Sequence, residues 1–597
     1  MGWPGMLRRD PYEDVPFLEL PIRNRSSRAA LVKERFLRYY DAVGRTLIRL
    51  PGPAKLLLTR RCLSSALGCL FLIVILLLSS RRRGISRLAS LSSNESICHS
   101  VRFNPHKTKA PLDANIATIT SFWPALKSAL EAGGRDLPVL ERPPFQTAPP
   151  TEEQIRARTN LLTLEEATRV RDLHAAFIRN LPVYPGKTFQ GRGIVMLAGG
   201  HYSEYAVIAL GVLRESGSTL PVEVWRRDER EEKHAWCEEI KHEGMACRRL
   251  SDYLDTDILA IADGKEMKVF TMLFSSFEKI IFIDADNMAL QPPELLFESE
   301  AYKSTGVLLW SDYWHYDSVD WLCYVVSISD NASQALWNQT TYESGQIVWN
   351  KRTHWDALLL ATYYNYHGPD LYYTLLNFGC AGWGDKDTFP VALRAINKPF
   401  STVQAQPRDV WVNGQVGDRR AGMLQMDPGS GDGKLATAFF LHATTIKWSH
   451  REFVCDGCLP IWHTGSLSDA FTSRWEDADA ELHAQLRANL RVLDVDMLQY
   501  MPTIDASSLS TPDNNSSAVG TQLDAEARIW RAMEHAACRS RAWRHSRTCE
   551  VARRYMIATF GFTFVLASDT GRNVTANDGG NVWVPSMGTE ACLIDPP

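Results

Sequence analysis

FEKIIFIDADNMALQPP, Phe277–Pro293, is the stretch on which the reading of the whole chain turns. Ile280, Ile281, Phe282 and Ile283 are four consecutive residues that favour a strand buried on both faces. Asp284 and Asp286 follow, with one alanine between them. Positions i and i+2 of a strand share a face, so the two carboxylates stand side by side with no basic neighbour in sequence to shield them. A divalent cation relieves that repulsion, and oxygen ligands suit magnesium or manganese. Such an ion also binds phosphate oxygens and neutralises charge that grows on a diphosphate leaving group. The plain alternative is a surface Asp-x-Asp triplet, a common pattern that carries little meaning without the apolar strand before it.

The sequence leading to this strand alternates. GIVMLAGG (193–200) reads as a buried strand and SEYAVIALGVLRESG (203–217) as a helix stopped by Gly217. LPVEVW (220–225) reads as a second strand, EREEKHAWCEEIKHEG (229–244) as a second helix, and KEMKVFTMLFSSF (265–277) as a further helix. Short strands alternating with helices predict an α/β fold on a mostly parallel sheet. Ligands in such sheets sit at the carboxyl ends of the strands, where Asp284 and Asp286 fall. One competitor shares the layout: haloacid-dehalogenase-like phosphatases place hhhhDxDx[TV] at a strand end, with the first Asp as nucleophile. Met288 stands where Thr or Val belongs, which disfavours a lumenal phosphatase using Asp284.

Three more stretches have suitable chemistry. TAFFLHATTIKW (437–448) ends an apolar run on His442, with Lys447 five residues on. A neutral imidazole can complete a metal shell, and a lysine can meet a diphosphate as a point charge. TYESGQIVWNKRTHW (341–355) sets Glu343, Gly345 and Gln346 before a helix-like run. GWGDKDTF (382–389) places Asp385 and Asp387 around Lys386 in a glycine-rich turn. For each of these the structural alternative is an ordinary strand-end histidine, turn or helix cap.

The chain of 597 residues is longer than one compact core usually requires. A formal charge of -4 gives no sign of a polyanion partner, so nucleic acid is not expected. Eighteen tryptophans and nineteen tyrosines either fill a core or line a sugar-binding cleft. CLSSALGCLFLIVILLLSS (62–80) carries no charge and is flanked by arginines on both sides, as a membrane-spanning helix would be. The expected plan is a cytosolic tail (1–61), a transmembrane anchor (62–80), a proline-marked stem (81–150), a catalytic domain (151–505), and a linker with an arginine-rich helical C-terminal extension (506–597). The arginines there read as a solvated helix face. Thr163 with Glu166 and Thr151 with Gln154 form capping-box patterns. Ten cysteines beyond the anchor fit an oxidising lumen. Cys455 and Cys458, in CDGC, have no second CxxC to make a zinc ribbon and read as structural disulfide partners.

Several of these motifs together resemble the fungal Golgi mannosyltransferases, the family of α-1,3- and α-1,2-mannosyltransferases that extend mannoglycans. The resemblance lies in KVFTMLFSSFEKIIFIDADNMALQPPELLFES, in GRGIVMLAGGHYSEYAVIALGVLRESGSTLPVEVW, and in GVLLWSDYW, YESGQIVWNK, GDKDTF and FLHATTIKW in the same order. It covers about residues 185–450 and implies a GT-A-like nucleotide-sugar-binding fold and a single-pass type II anchor in the Golgi membrane. GDP-mannose would be the donor, with Mn2+ or Mg2+ as the ion and a mannose-containing glycan as acceptor. A complex with other mannosyltransferases is a further expectation. The implied reaction is mannosyl transfer in α-1,3 linkage with retention, with α-1,2 linkage as the alternative. By the resemblance Asp284, Asp286 and His442 would hold the metal. Lys268, Asp284, Asn287 and Lys447 would hold the donor, and Glu343, Gln346 and Asp385 would face the sugar or acceptor. The related glycogenin-like pattern ends in a glycine and Lys-Pro-Trp, where this chain has TTIKW.

Overall fold

The computed structural model describes residues 116–143, 160–449, 491–493, 498–505, 522–560, 562, 564–565 and 573–574, less short breaks at 232, 256–257, 260–263, 316–320, 329–339, 379–381, 413–418 and 431–435. The expected membrane span, the cytosolic tail, the capping box at Thr151, CDGC and the linker after 506 lie outside the described residues. Among the described residues no helix is long and apolar enough to cross a membrane.

The strands of the two larger sheets are β1 (Arg192–Leu197), β2 (Val222–Arg226), β3 (Met245–Arg249), β4 (Lys279–Ile283), β5 (Asn287–Ala289), β6 (Val307–His315), β7 (Thr340–Asn350), β8 (Ser401–Thr402), β9 (Arg408–Val412), β10 (Arg419–Met426) and β11 (Ala438–His442). Seven of them form the main sheet in the order β3-β2-β1-β4-β7-β6-β8. β1 runs parallel to both β2 and β4, β2 is parallel to β3, and β6 is parallel to β8. β7 alone is antiparallel to its neighbours β4 and β6. The expected α/β fold with a mostly parallel sheet is therefore present. Strand order grows one way from β1 to β2 and the other way from β1 to β4. That reversal opens a crevice at the carboxyl ends, where α/β proteins bind ligands.

Both faces of the main sheet are covered, which is why β4 reads as an unbroken apolar run. Ile280 and Phe282 point into one core with Val195, Trp225, Ile347 and Trp349. Ile281 and Ile283 point into the other with Ile194, Met196, Val224 and Val348. The first face is packed by α1 (Trp123–Gly133), α2 (Leu164–Arg179), α3 (Gly264–Phe274) and α4 (Trp355–Tyr366). The start of α2 is the predicted capping box: the Thr163 hydroxyl accepts from the Glu166 N–H, and Glu166 accepts from the Thr163 N–H. α1 falls in the expected stem, yet it is docked. Phe122 meets the Trp355 ring edge-on at 4.8 Å, and Trp123 meets Phe274 at 5.5 Å. Proline spacing beyond residue 137 drew the stem boundary, but the apolar spacing of Phe122, Trp123, Leu126 and Leu130 buries this segment instead.

The second face carries the helix of residues Tyr202–Glu215 and a four-stranded antiparallel sheet in the order β5-β11-β10-β9. Helix α5 (Ala525–Arg539), which precedes a last helix at Ser546–Phe560, lies against Tyr202–Glu215 so closely that a Cβ on Gly211 would come within 2.6 Å of the Ala532 Cβ. Its arginines are not a solvated face. Arg528 is fully buried and donates to Leu290 O at 2.8 Å and Pro502 O at 3.0 Å. Arg531 pairs with Glu215 at 3.3 Å. The Trp530, Met533 and Ile529 faces supply the apolar contact, and the guanidinium groups cap carbonyls and carboxylates around it. Disulfides join Cys237 to Cys247 and Cys538 to Cys549.

Candidate active site

The site is built where the two sheets meet. β4 ends at Ile283, the backbone turns through Asp284–Asp286, and the chain continues as β5 in the second sheet. The Asp284 N–H donates to Gly345 O at 2.8 Å, which ties it to the main sheet. The Ala443 N–H donates to Asp286 O at 3.0 Å, which ties that residue to the second. β11 pairs antiparallel with β5 and sets His442 opposite Asn287. The imidazole thereby reaches the aspartates: His442 Nε2 is 3.2 Å from Asp286 Oδ1. One ligand atom from each of Asp284, Asp286 and His442 falls within 4.8 Å of the others.

β7 contributes through an irregularity. Val348 pairs with Leu308 and Glu343 with Trp310, so β7 carries extra residues against β6 between those points. Such a bulge bends a strand and redirects side chains, often beside a functional site. Glu343 turns toward His442, with Oε1 3.6 Å from Nδ1. It also accepts the Gly345 N–H at 2.8 Å. Position 345 must be glycine for this arrangement: a Cβ there would lie 2.6 Å from His442 Cε1. The expectation that this segment runs into a helix is corrected, since Thr340–Asn350 is one strand. Gly345 and the polar residues at the bulge hide its alternation.

Two lysines complete the cluster. Lys268, on α3, lies 3.1 Å from Asp284 Oδ2 and 3.1 Å from Asp385 Oδ2, and it donates to Ser344 Oγ at 2.9 Å. Ser344 Oγ in turn donates to Asp385 Oδ2 at 2.9 Å. Lys447 donates to Asp286 Oδ2. The electrostatics follow from these contacts. Burial works to raise the carboxyl of Asp286, but Lys447 and His442 overrule it and hold the group well below the usual carboxylate range. Burial raises Asp284, with Lys268 opposing, so its proton is held more tightly than normal. Burial disfavours the charged form of His442, yet Asp286 and Glu343 raise it above its ordinary value.

All the expected site residues therefore lie in one neighbourhood, in two roles. Asp284, Asp286, His442, Lys268, Lys447, Glu343 and Asp385 face one another. Asn287 and Gln346 sit behind them: Asn287 Nδ2 donates to Gly345 O at 2.8 Å and to Gln346 Oε1 at 2.6 Å, and both side chains are buried. Gln346 thus packs under the bulge beside Asn287. Asp312, Thr341, Ser344 and Lys386 were not among the expected site residues. Lys386 Nζ donates to Asp312 Oδ2 at 2.7 Å and to Thr341 Oγ1 at 3.0 Å. The signal was present in GVLLWSDYW, where an apolar run ends on a carboxylate just as β4 does.

Two carboxylates and an imidazole are a donor set for Mn2+ or Mg2+, and the 4.8 Å spread fits a single ion. A histidine ligand with its second nitrogen toward a carboxylate is the usual way such a ring is oriented, and His442 with Glu343 has that form.

Fold and cluster define an α/β protein with a carboxylate–imidazole site at the switch point of its sheet. Residues 191–333 and 326–419 match the mannosyltransferase family model Mannosyl_trans3. The chain is 30% identical over 272 residues to alpha-1,2-mannosyltransferase MNN24 of Candida albicans, covering 40% of this chain and 38% of the relative. It is 33% identical over 264 residues to alpha-1,2-mannosyltransferase MNN5 of Saccharomyces cerevisiae, covering 36% and 44%. It is 28% identical over 370 residues to MNN22 of Candida albicans, covering 53% and 62%. In each case the match spans less than two thirds of the relative's length. Among solved structures, galactosyltransferase LgtC overlays 36% of this chain and 73% of its own at 10% identity and a TM-score of 0.25, too little to transfer a residue role. Residues 191–419 are thus similar to the mannosyltransferase family, and the matched relatives are fungal α-1,2-mannosyltransferases.

Proposed function

We propose that this protein is a metal-dependent transferase of GT-A-like design that moves mannose from GDP-mannose to a mannose-containing glycan, forming an α-1,2 linkage with retention of configuration. The observation that carries the reading is the convergence of Asp284, Asp286 and His442 at the carboxyl end of β4, inside the family-matched region. The α-1,2 linkage is preferred over the α-1,3 linkage expected from the motifs because the matched relatives are α-1,2-mannosyltransferases. The uncharged run at 62–80 and the two disulfides support an anchored protein with its site in the Golgi lumen.

Asp284, Asp286 and His442 would hold the ion. When bound, it supplies positive charge to the diphosphate as the leaving group departs. Lys447 is close enough to Asp286 to meet a diphosphate bound there as a point charge. Lys268, fixed between Asp284 and Asp385, keeps those carboxylates apart and in register. In the transfer the bond between mannose C1 and the diphosphate oxygen breaks and GDP leaves. The acceptor hydroxyl oxygen bonds to C1 from the same face, and its proton passes to the departing diphosphate oxygen. Glu343 and Asp385 line the site without being spent as a nucleophile.

A donor panel with a mannose disaccharide acceptor, followed by linkage analysis of the product, tests the reading. GDP-mannose should be the productive donor, and chelation should stop transfer. Full transfer after chelation, or release of phosphate from a phosphomonoester in place of transfer, would overturn it.

A further inference from the structure

We propose that Lys386 is a positioning residue: its ion pair with Asp312 holds the turn Gly382–Asp387 so that Asp385 faces the transferred sugar. The inference rests on the mannosyl-transfer reading and deepens it.

The turn is pinned at successive residues by different elements. Lys265 and Lys268 stand one turn apart on α3. Lys265 donates to Trp383 O at 2.8 Å, and Lys268 reaches Asp385 at 3.1 Å. Lys386 crosses to β6 and β7 through Asp312 and Thr341. Asp387 accepts the Tyr342 N–H of β7 at 3.1 Å. The helix Thr388–Ala395 then begins. Asp385 and Lys386 are adjacent, so one side chain is directed to the site and the next is anchored away from it. The anchor is nearly closed to water, with 9% of the Lys386 side chain and 5% of the Asp312 side chain exposed. Removing Asp312 takes its hydrogen-bonded carboxylate from a buried ammonium on which Asp387 and Glu343 also act, and removing Lys386 takes the ammonium from a buried carboxylate; either change favours a shift of the turn. The turn has little slack of its own: Gly382 has φ +103°, and a Cβ there would sit 2.1 Å from Lys386 Cε. A shift at 386 therefore passes to Asp385 through one peptide unit, and from Asp385 to Lys268 and Asp284. None of these contacts makes Lys386 touch the sugar or the ion.

The test uses the full chain with Lys386→Met, Lys386→Arg and Asp312→Asn. It reads kcat and KM for GDP-mannose, Mn2+ binding by electron paramagnetic resonance without sugar, and Tm. Misplacement by about 1 Å costs on the order of 10^2-fold in rate. Lys386→Met and Asp312→Asn should lower kcat by about that factor, with KM for GDP-mannose and Mn2+ affinity unchanged, and Lys386→Arg should restore most of the rate. A kcat near that of the unaltered protein in Lys386→Met or Asp312→Asn would overturn the proposal. So would a loss of Mn2+ binding in step with kcat, or failure of both variants to fold, since each marks a merely structural pair. An unaltered protein that transfers no mannose overturns the functional reading instead, which is a separate outcome.

Discussion

Asp284 and Asp286 stand two residues apart in unlike surroundings. Asp286 is held ionised by Lys447 and His442 against the effect of burial, while burial lifts Asp284 to about 6 despite Lys268. A cation must displace protons from Asp284 and from His442, whose own value is raised. Both shifts act in one direction: Mn2+ affinity should fall as pH drops from neutral through about 6. Titrations of Mn2+ at a series of pH values check this, and a flat profile over that range would contradict it. Asp286→Ala should remove several kcal/mol of charge stabilisation, or more than about 10^2-fold in transfer rate. The comparison to make is kcat/KM at saturating Mn2+. At this scale the aspartate pair and His442 were legible in the sequence because each closes an apolar run. That Ser344 would bridge Lys268 and Asp385 was not, since no spacing rule joins positions on α3, β7 and a distant turn.

Among elements, β4 and the alternating strands and helices before it were readable because both faces of the sheet are buried and the apolar runs are continuous. β7 was misread because its bulge interrupts the pattern at Glu343–Gln346. The bulge also carries an expected outcome. Gly345→Ala would drive a methyl group toward His442, within 2.6 Å of Cε1 in the present geometry. The ring would have to move, and Mn2+ affinity should fall by about 10- to 100-fold, as when a ligand loses its orienting neighbours. Isothermal titration of Mn2+ into the folded variant measures this. Unchanged affinity would mean that β7 yields in place of the ring.

For the whole molecule, segments outside the family-matched region turn out to be parts of the core. α1 was hidden by the proline-rich stretch that follows it, and α5 by arginines that composition alone assigns to water. Their burial depends on long-range docking that local periodicity does not report. Deleting residues 506–597 should therefore leave an aggregating fragment, because Ile529, Trp530 and Met533 would no longer cover their neighbours. Soluble expression and a sharp melting transition of that fragment would refute this. Replacing Cys538 and Cys549 together by serine opens a loop spanning 11 positions. The loss should be about 3 kcal/mol, read as a Tm lowered relative to the unaltered protein with no reductant present.

The seam at Asp284–Asp286 has one more effect. One aspartate is hydrogen-bonded into the main sheet and the other into the second sheet, which also bears His442. An ion gripped by all three would act as a rivet through two layers that meet by apolar contact and by hydrogen bonds such as that from Asn287 to Gly345. Saturating Mn2+ at about 100 times its Kd should then raise stability by about 2.7 kcal/mol. Hydrogen exchange should slow at the facing ends of β4 and β11 together, so that occupancy of the site is felt as stiffness of the joint.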